Sequence, residues 1–319
     1  MMLKRFFIVF ILLIVTAFCF YLLFGNRVPD TISSLDKLIG NQYNFTQWHK
    51  IKRTKRLKGV ALVVHGLNLK PERMQSIIAE LNDAGIDVLN LSLRGHGNNY
   101  IKNPHLSEGQ ARLDSFQTVT YRLWLEEIYA AYLKVKQRAY KKGVPVFFVG
   151  YSLGGLMGCD LLLLQNDVSY DRMVLFAPAL SITLEGYLLK ALLPFPNMVI
   201  DSLSPTYYRS NTGTPMAAYK ALFAIVDHFN MNANDKLNKP TLIFIDEKDE
   251  FVPFLKLKEI ITQKKLDQWQ IQVVRKDSNI NENVSHHLII DKDSVGPQMW
   301  QQMKDAIKMY VNMKGRNIK

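Results

Sequence analysis

Hydrophobic positions divide the chain into two unlike parts. Residues 6–24, FFIVFILLIVTAFCFYLLF, form one uncharged run of about 19 residues, long enough to cross a hydrocarbon core as a single helix. From Gly59 onward the apolar residues instead come in short bursts separated by helically spaced stretches. Val60–Val64 is a β-rich run without alternation, as expected of a strand buried on both faces. Pro71–Leu81 places Met74, Ile77, Ile78 and Leu81 at helical spacing, closed by Asn82 to Gly85. Further strands are predicted at Ile86–Leu93, Val144–Val149, Met173–Phe176, Pro240–Ile245 and Trp269–Val274. Helices are predicted at about Val119–Tyr140, Leu153–Leu164 and Pro297–Met313. Strands alternating with helices over this length imply an α/β fold: a doubly wound, mostly parallel sheet with helices on both faces. Ligands of such sheets bind at the carboxyl ends of the strands. Residues from Ser181 to about Asn238 interrupt the alternation and are too long for an ordinary crossover. They read as a mostly helical cap over that edge. The expected organisation is therefore a membrane anchor (1–25), a linker and lead-in (26–58), and an α/β domain (59–319) with its cap at about 181–238.

Charge adds a second theme. Forty Lys and Arg against 28 Asp and Glu give a formal charge of +12. No zinc-finger spacing, RNP-like aromatic motif or long basic helix accompanies it, so no nucleic-acid partner is expected. A basic surface near anionic lipid fits a chain that carries its own apolar segment. The densest basic stretch, His49–Lys58 (HKIKRTKRLK), reads either as a solvated strand or turn, or as a contact for lipid headgroups. Lys4 and Arg5 precede the apolar run and are expected to stay cytoplasmic, placing the rest of the chain across the membrane, in the periplasm if the source is bacterial. The run ends in Phe24-Gly-Asn-Arg27 without an Ala-x-Ala pattern, which favours an uncleaved signal anchor over secretion after cleavage. The two cysteines, Cys19 and Cys159, suggest neither a disulfide nor a metal site.

The sharpest chemical signal is Gly150-Tyr-Ser152-Leu-Gly154, set between an apolar strand and a helix. That context is what a nucleophile elbow requires: a tight strand-to-helix turn that presents a serine hydroxyl. A serine needs a base. Of seven histidines (49, 65, 96, 105, 228, 286 and 287), only His286 and His287 follow the last strand. The base needs an orienting carboxylate, and Asp246, Asp249 and Glu250 follow the strand ending at Ile245. An oxyanion formed on a carbonyl would be met by the backbone N–H groups of Leu153, at a helix N-terminus, and Leu67, after the first strand. His65 and His96 read as loop-packing residues. This chemistry calls for no metal or cofactor.

The segments VVHGL, LRGHG, GYSLGG, IDEKDEFVP and SHHLIID, in this order and spacing, resemble the α/β-hydrolase superfamily. The similarity is to its branch of monoglyceride lipases, lysophospholipases and small carboxylesterases, and it spans roughly Gly59 to the C-terminus. Asp246 departs from the family, standing where many relatives have glycine. The resemblance implies a triad of Ser152, Asp249 and His286. Asp249 is favoured because it precedes the Val-Pro that opens the next helix, and His286 because its neighbours match the family's His-x-apolar…Asp pattern. His287 and Asp246 are the alternatives. It further implies acyl transfer to water through an acyl-serine. With an apolar cap and a membrane anchor, lipid esters such as monoacylglycerols or lysophospholipids are the expected substrates. Short-chain carboxylesters, thioesters, and a catalytically silent binding protein on the same fold are the other readings.

Overall fold

The computed structural model describes residues 45–313 except 203, 282 and 283. The expected anchor at 1–25 and most of the lead-in lie outside the described residues. Among the described residues no helix is long and apolar enough to cross a membrane.

Along the chain the elements are β1 (Thr46–His49), β2 (Gly59–Val64), α1 (Gln75–Asp83), β3 (Ile86–Leu91), α2 (Glu108–Gln117) and α3 (Tyr121–Lys142). There follow β4 (Val146–Tyr151), α4 (Leu153–Leu164), β5 (Arg172–Phe176), α5 (Leu184–Leu188), β6 (Val199–Asp201) and β7 (Gly213–Pro215). The chain closes with α6 (Met216–Asn232), β8 (Thr241–Asp246), α7 (Phe254–Gln263), β9 (Trp269–Val274), α8 (Lys292–Val295) and α9 (Pro297–Asn312). Seven strands form one sheet in the order β1-β3-β2-β4-β5-β8-β9, all parallel except β1, which runs antiparallel to β3. This is the doubly wound, mostly parallel sheet expected from the alternation of elements, and it agrees with the fold that the resemblance to α/β-hydrolases implies. Thr46–His49, read from the sequence as lead-in, instead form the edge strand. Such a four-residue strand, half-exposed on its outer side, carries too little apolar pattern to register as one.

Apart from Val146 at the start of β4, each of the strands β2, β3 and β4 is buried along its length, yet its side chains divide with a period of two. Leu62, Leu89, Phe148, Leu175 and Ile243 pack on one face with residues of α3, α4, α6 and α7. Val63, Val88, Val149, Val174 and Phe244 pack on the other with α1 and α9. Helix ends follow from local chemistry. Thr120 accepts from the Leu123 amide at the start of α3, and Gly143, at φ 61°, ends it in the left-handed conformation.

Register aligns the strand ends at one edge: Val64 lies opposite Leu91 and Gly150, Tyr151 opposite Phe176, and Asp246 opposite Val274. The long insertion between β5 and β8 holds α5, the β6–β7 hairpin and α6. It is stitched over this edge near its start and at its middle. The Thr183 amide donates to the Phe251 carbonyl at 3.1 Å. Midway along it, Asn211 N–H donates to Asn68 Oδ1 at 2.9 Å, and Asn68 Nδ2 donates back to the Asn211 carbonyl at 3.1 Å.

Candidate active site

Ser152 sits between β4 and α4 at φ 52°, ψ −116°, a strained backbone that only a crowded turn maintains. Its amide donates to the Phe176 carbonyl at 2.8 Å. The glycines around it answer close approach of backbones. A Cβ on Gly150 would lie 2.6 Å from the Gly155 nitrogen, and one on Gly154 would lie 2.2 Å from the Val64 carbonyl oxygen. The second distance shows that the end of β2 presses directly on the first turn of α4.

The two adjacent histidines occupy the centre of a turn closed by Leu288 N–H donating to Ser285 O at 3.0 Å. His287, not His286, faces the serine. His287 Nε2 is 2.8 Å from Ser152 Oγ, and its Nδ1 is 2.8 Å from Asp249 Oδ2. This corrects the expected choice of His286 as base. That side chain turns the other way, placing its Nδ1 2.7 Å from Asp246 Oδ2. The reason is geometric: the central residues of a turn project to different sides, and each ring finds a carboxylate on its own side. Asp249 takes the position expected of it. Asp246, weighed as its alternative, orients the neighbouring histidine instead. Asp249 Oδ1 accepts the amides of Phe251 and Val252 at 2.9 and 2.8 Å, which leaves Oδ2 aimed at the imidazole. Ser152 and Asp249 are each 8% exposed.

Glu250 and Lys276 bracket the histidine turn. Glu250 accepts the amides of His286 and His287 at 2.8 and 3.0 Å and the Ser285 hydroxyl at 2.8 Å. Burial works to raise its pKa, but these donors hold the carboxyl below its usual value. Lys276 Nζ donates to the carbonyls of Ser285 and Leu288 at 2.6 and 3.0 Å. Burial lowers its pKa to about 8 against the opposing pull of Asp246, Glu250 and Asp249. Neither residue was singled out from the sequence for this role. Glu250 was considered only as a rival acid, and backbone-binding side chains leave no motif.

Leu153 opens α4, so its amide is among the first-turn N–H groups of that helix. Leu67 follows Gly66, where a Cβ would lie 3.2 Å from Ser152 Cβ, so the loop carrying the Leu67 amide passes beside Ser152. His96 steadies this loop by accepting the Asn68 amide at Nε2, 2.9 Å away, while His65 Nε2 accepts the Leu93 amide at 3.1 Å. Both rings are buried, and their imidazole centroids lie 4.5 Å apart. Among the described residues no group of three or more His, Cys, Asp or Glu side chains is placed to hold a metal ion.

A soluble variant of monoglyceride lipase from Saccharomyces cerevisiae, in complex with a substrate analog, shares the fold. Its TM-score is 0.68 at 12% identity, covering 84% of this chain and 90% of that one. Monoacylglycerol lipase from Paleococcus ferrophilus gives a TM-score of 0.59 at 18% identity, covering 84% and 97%. Of LipS and LipT, two metagenome-derived lipolytic enzymes, one gives 0.61 at 17% identity, covering 82% and 99%. No match was found among curated proteins. The family model described as serine aminopeptidase, S33, matches residues 55–305. With that match spanning the six parallel strands, the strained serine and the histidine turn alike, the chain belongs to the S33 serine aminopeptidase family of α/β-hydrolase-fold serine hydrolases.

Proposed function

We propose that this protein hydrolyses lipid carboxylic esters, of the monoacylglycerol or lysophospholipid kind, through an acyl-serine intermediate. Ser152 Oγ attacks the ester carbonyl while His287 Nε2 takes its proton. Asp249 holds His287 with Nδ1 protonated and stabilises the imidazolium that forms. The amides of Leu153 and Leu67 supply the oxyanion donors. The alcohol leaves with the proton carried by His287, and water repeats the sequence on the acyl-serine. The chemistry rests on the unbroken contacts Ser152–His287–Asp249.

One observation carries the lipid reading: an apolar ring beside the catalytic histidine is left exposed, and further exposed apolar side chains follow on the segment bonded to it. The Phe251 ring meets His287 edge-on, with centroids 5.3 Å apart, yet is 45% exposed. Leu184, next to the Thr183 that bonds Phe251, is 76% exposed, and Leu188 one helical turn on is 70% exposed. Apolar groups gathered at a catalytic mouth suit an acyl chain better than a polar substrate. The monoacylglycerol lipases among the structural neighbours support the same class. Residues 6–24 are proposed to anchor the chain in a membrane with the catalytic domain on the side opposite Lys4 and Arg5.

A fluorophosphonate probe is expected to label the wild type and not Ser152→Ala. Turnover of p-nitrophenyl esters is expected to rise from acetate toward long-chain acyl groups, and a maximum at acetate or butyrate would overturn the lipid assignment. Retention of the full chain in the membrane pellet after alkaline carbonate washing, with release after removal of residues 1–25, is the expected result for the anchor.

A further inference from the structure

Outside the triad, the same edge carries a second imidazole–carboxylate pair that the mechanism does not use. His286 Nδ1 meets Asp246 Oδ2 at 2.7 Å, and Asp246 is 5% exposed. Asp246 is itself fixed, since its Oδ1 accepts the Lys248 amide at 2.8 Å and its carbonyl accepts the Asp249 amide at 3.2 Å. The His286 side chain is 37% exposed, against 11% for His287. Two chemically identical side chains therefore stand side by side on one turn, each able to serve as base. They differ in the carboxylate each one meets, in exposure, and in the hydrogen bond that His287 makes to Ser152. A displacement of the turn would withdraw His287 from the serine, and Glu250, which binds both amides, holds the backbone of the turn without fixing where either ring points.

We propose that Asp246 and His286 form a positioning pair that locks the register of the histidine turn, so that His287 alone is presented to Ser152. The proposal rests on the serine mechanism above and assigns these residues no contact with substrate. Asp246 pins one ring outward, and because the two residues are consecutive, pinning one fixes the direction of the other. Loss of the pin lets the turn sample arrangements in which Nε2 of His287 is displaced from Oγ. A displacement of about 1 Å at the reacting groups can cost on the order of 100-fold in rate.

The test uses the full chain in detergent with a soluble p-nitrophenyl ester, each variant normalised to sites titrated by the fluorophosphonate. Expected for His286→Ala and Asp246→Asn is a fall in kcat of about 10-fold or more with KM within about twofold, since positioning and not substrate binding is lost. His286→Asn, whose amide still donates to Asp246, is expected to recover most of the wild-type kcat. Normalised kcat within about twofold of wild type in His286→Ala overturns the proposal, as does a His286→Asn variant no better than His286→Ala. Ser152→Ala, assayed alongside, separates the two levels of inference. Turnover surviving in that variant overturns the serine mechanism and the lock with it. A dead Ser152→Ala with an unimpaired His286→Ala overturns the lock alone.

Discussion

At the scale of single residues, the site is decided by which of two neighbours faces a hydroxyl. His287→Ala is expected to slow acylation by about 10^4-fold or more, as loss of a triad base does elsewhere, measured in single turnover with a p-nitrophenyl ester. His286→Asn is expected to remain near wild type in the same assay, so the pair of variants reports the orientation of the turn directly. The sequence signalled the doublet and even the acid, because Asp249 is tied to a turn and helix start that leave a readable pattern. It could not order His286 and His287. Side-chain direction within a turn depends on backbone dihedrals set by tertiary contacts with Glu250 and Lys276, which lie 35 or more and about 10 residues away and share no motif with it. Ser152 was legible for the opposite reason. Its strain is met by glycines at fixed offsets, and those glycines are required where backbones touch. Gly154→Ala would push a methyl group to 2.2 Å from the Val64 carbonyl. It is expected to lower both the unfolding midpoint in urea and fluorophosphonate labelling, since backbone on both sides of the contact has to move.

Among the elements, the insertion does more than cover the carboxyl edge of the sheet, because α6 is tied into α4, the helix that Ser152 precedes. His228 on α6 places Nδ1 2.5 Å from Asp160 Oδ1 on α4, and the Tyr121 hydroxyl from the start of α3 bonds Asp160 Oδ2. Asp160 is 1% exposed and burial raises its pKa, with the His228 and Tyr121 bonds opposing. Three helices thus meet at one carboxylate. Asp160→Ala would leave a buried phenol and a buried imidazole without their acceptor. It is expected to destabilise the protein by about 3–5 kcal/mol, read from urea unfolding. This junction was invisible in the sequence. Asp160 lies within a uniformly apolar helix, and its partners are 39 and 68 residues away. The helices themselves were largely readable, since α1, α3, α4 and α9 are long enough for their apolar spacing to declare them. The β6–β7 hairpin, with strands of three residues each, is not.

Across the whole molecule, the carboxyl edge of the sheet is braced by two buried histidines that the mechanism leaves unused. His65 follows β2 and accepts the Leu93 amide beyond β3. His96 lies beyond β3 and accepts the Asn68 amide beyond β2. Each ring needs a bare Nε2 for its bond, so both are held neutral. Burial lowers the pKa of His65 to about 4 and that of His96 well below its ordinary value. The sign of the linkage follows. Below about pH 6.5 the unfolded chain takes up a proton at His65 that the folded protein refuses until about pH 4. The stability held by the neutral ring is therefore complete above about pH 6.5 and is lost as the pH falls toward 4. Global unfolding in urea, measured from pH 7 to pH 5, is expected to show stability declining as the solution is acidified. His65→Gln starts lower, having lost the Leu93 acceptor geometry, but is expected to decline less steeply, by up to about 1.4 kcal/mol per pH unit for the one proton removed. An unchanged slope would mean that the proton is taken up elsewhere and that the brace is not the acid-sensitive part of the fold. A reduced slope would assign that share of the acid lability to the neutral ring held between the ends of β2 and β3.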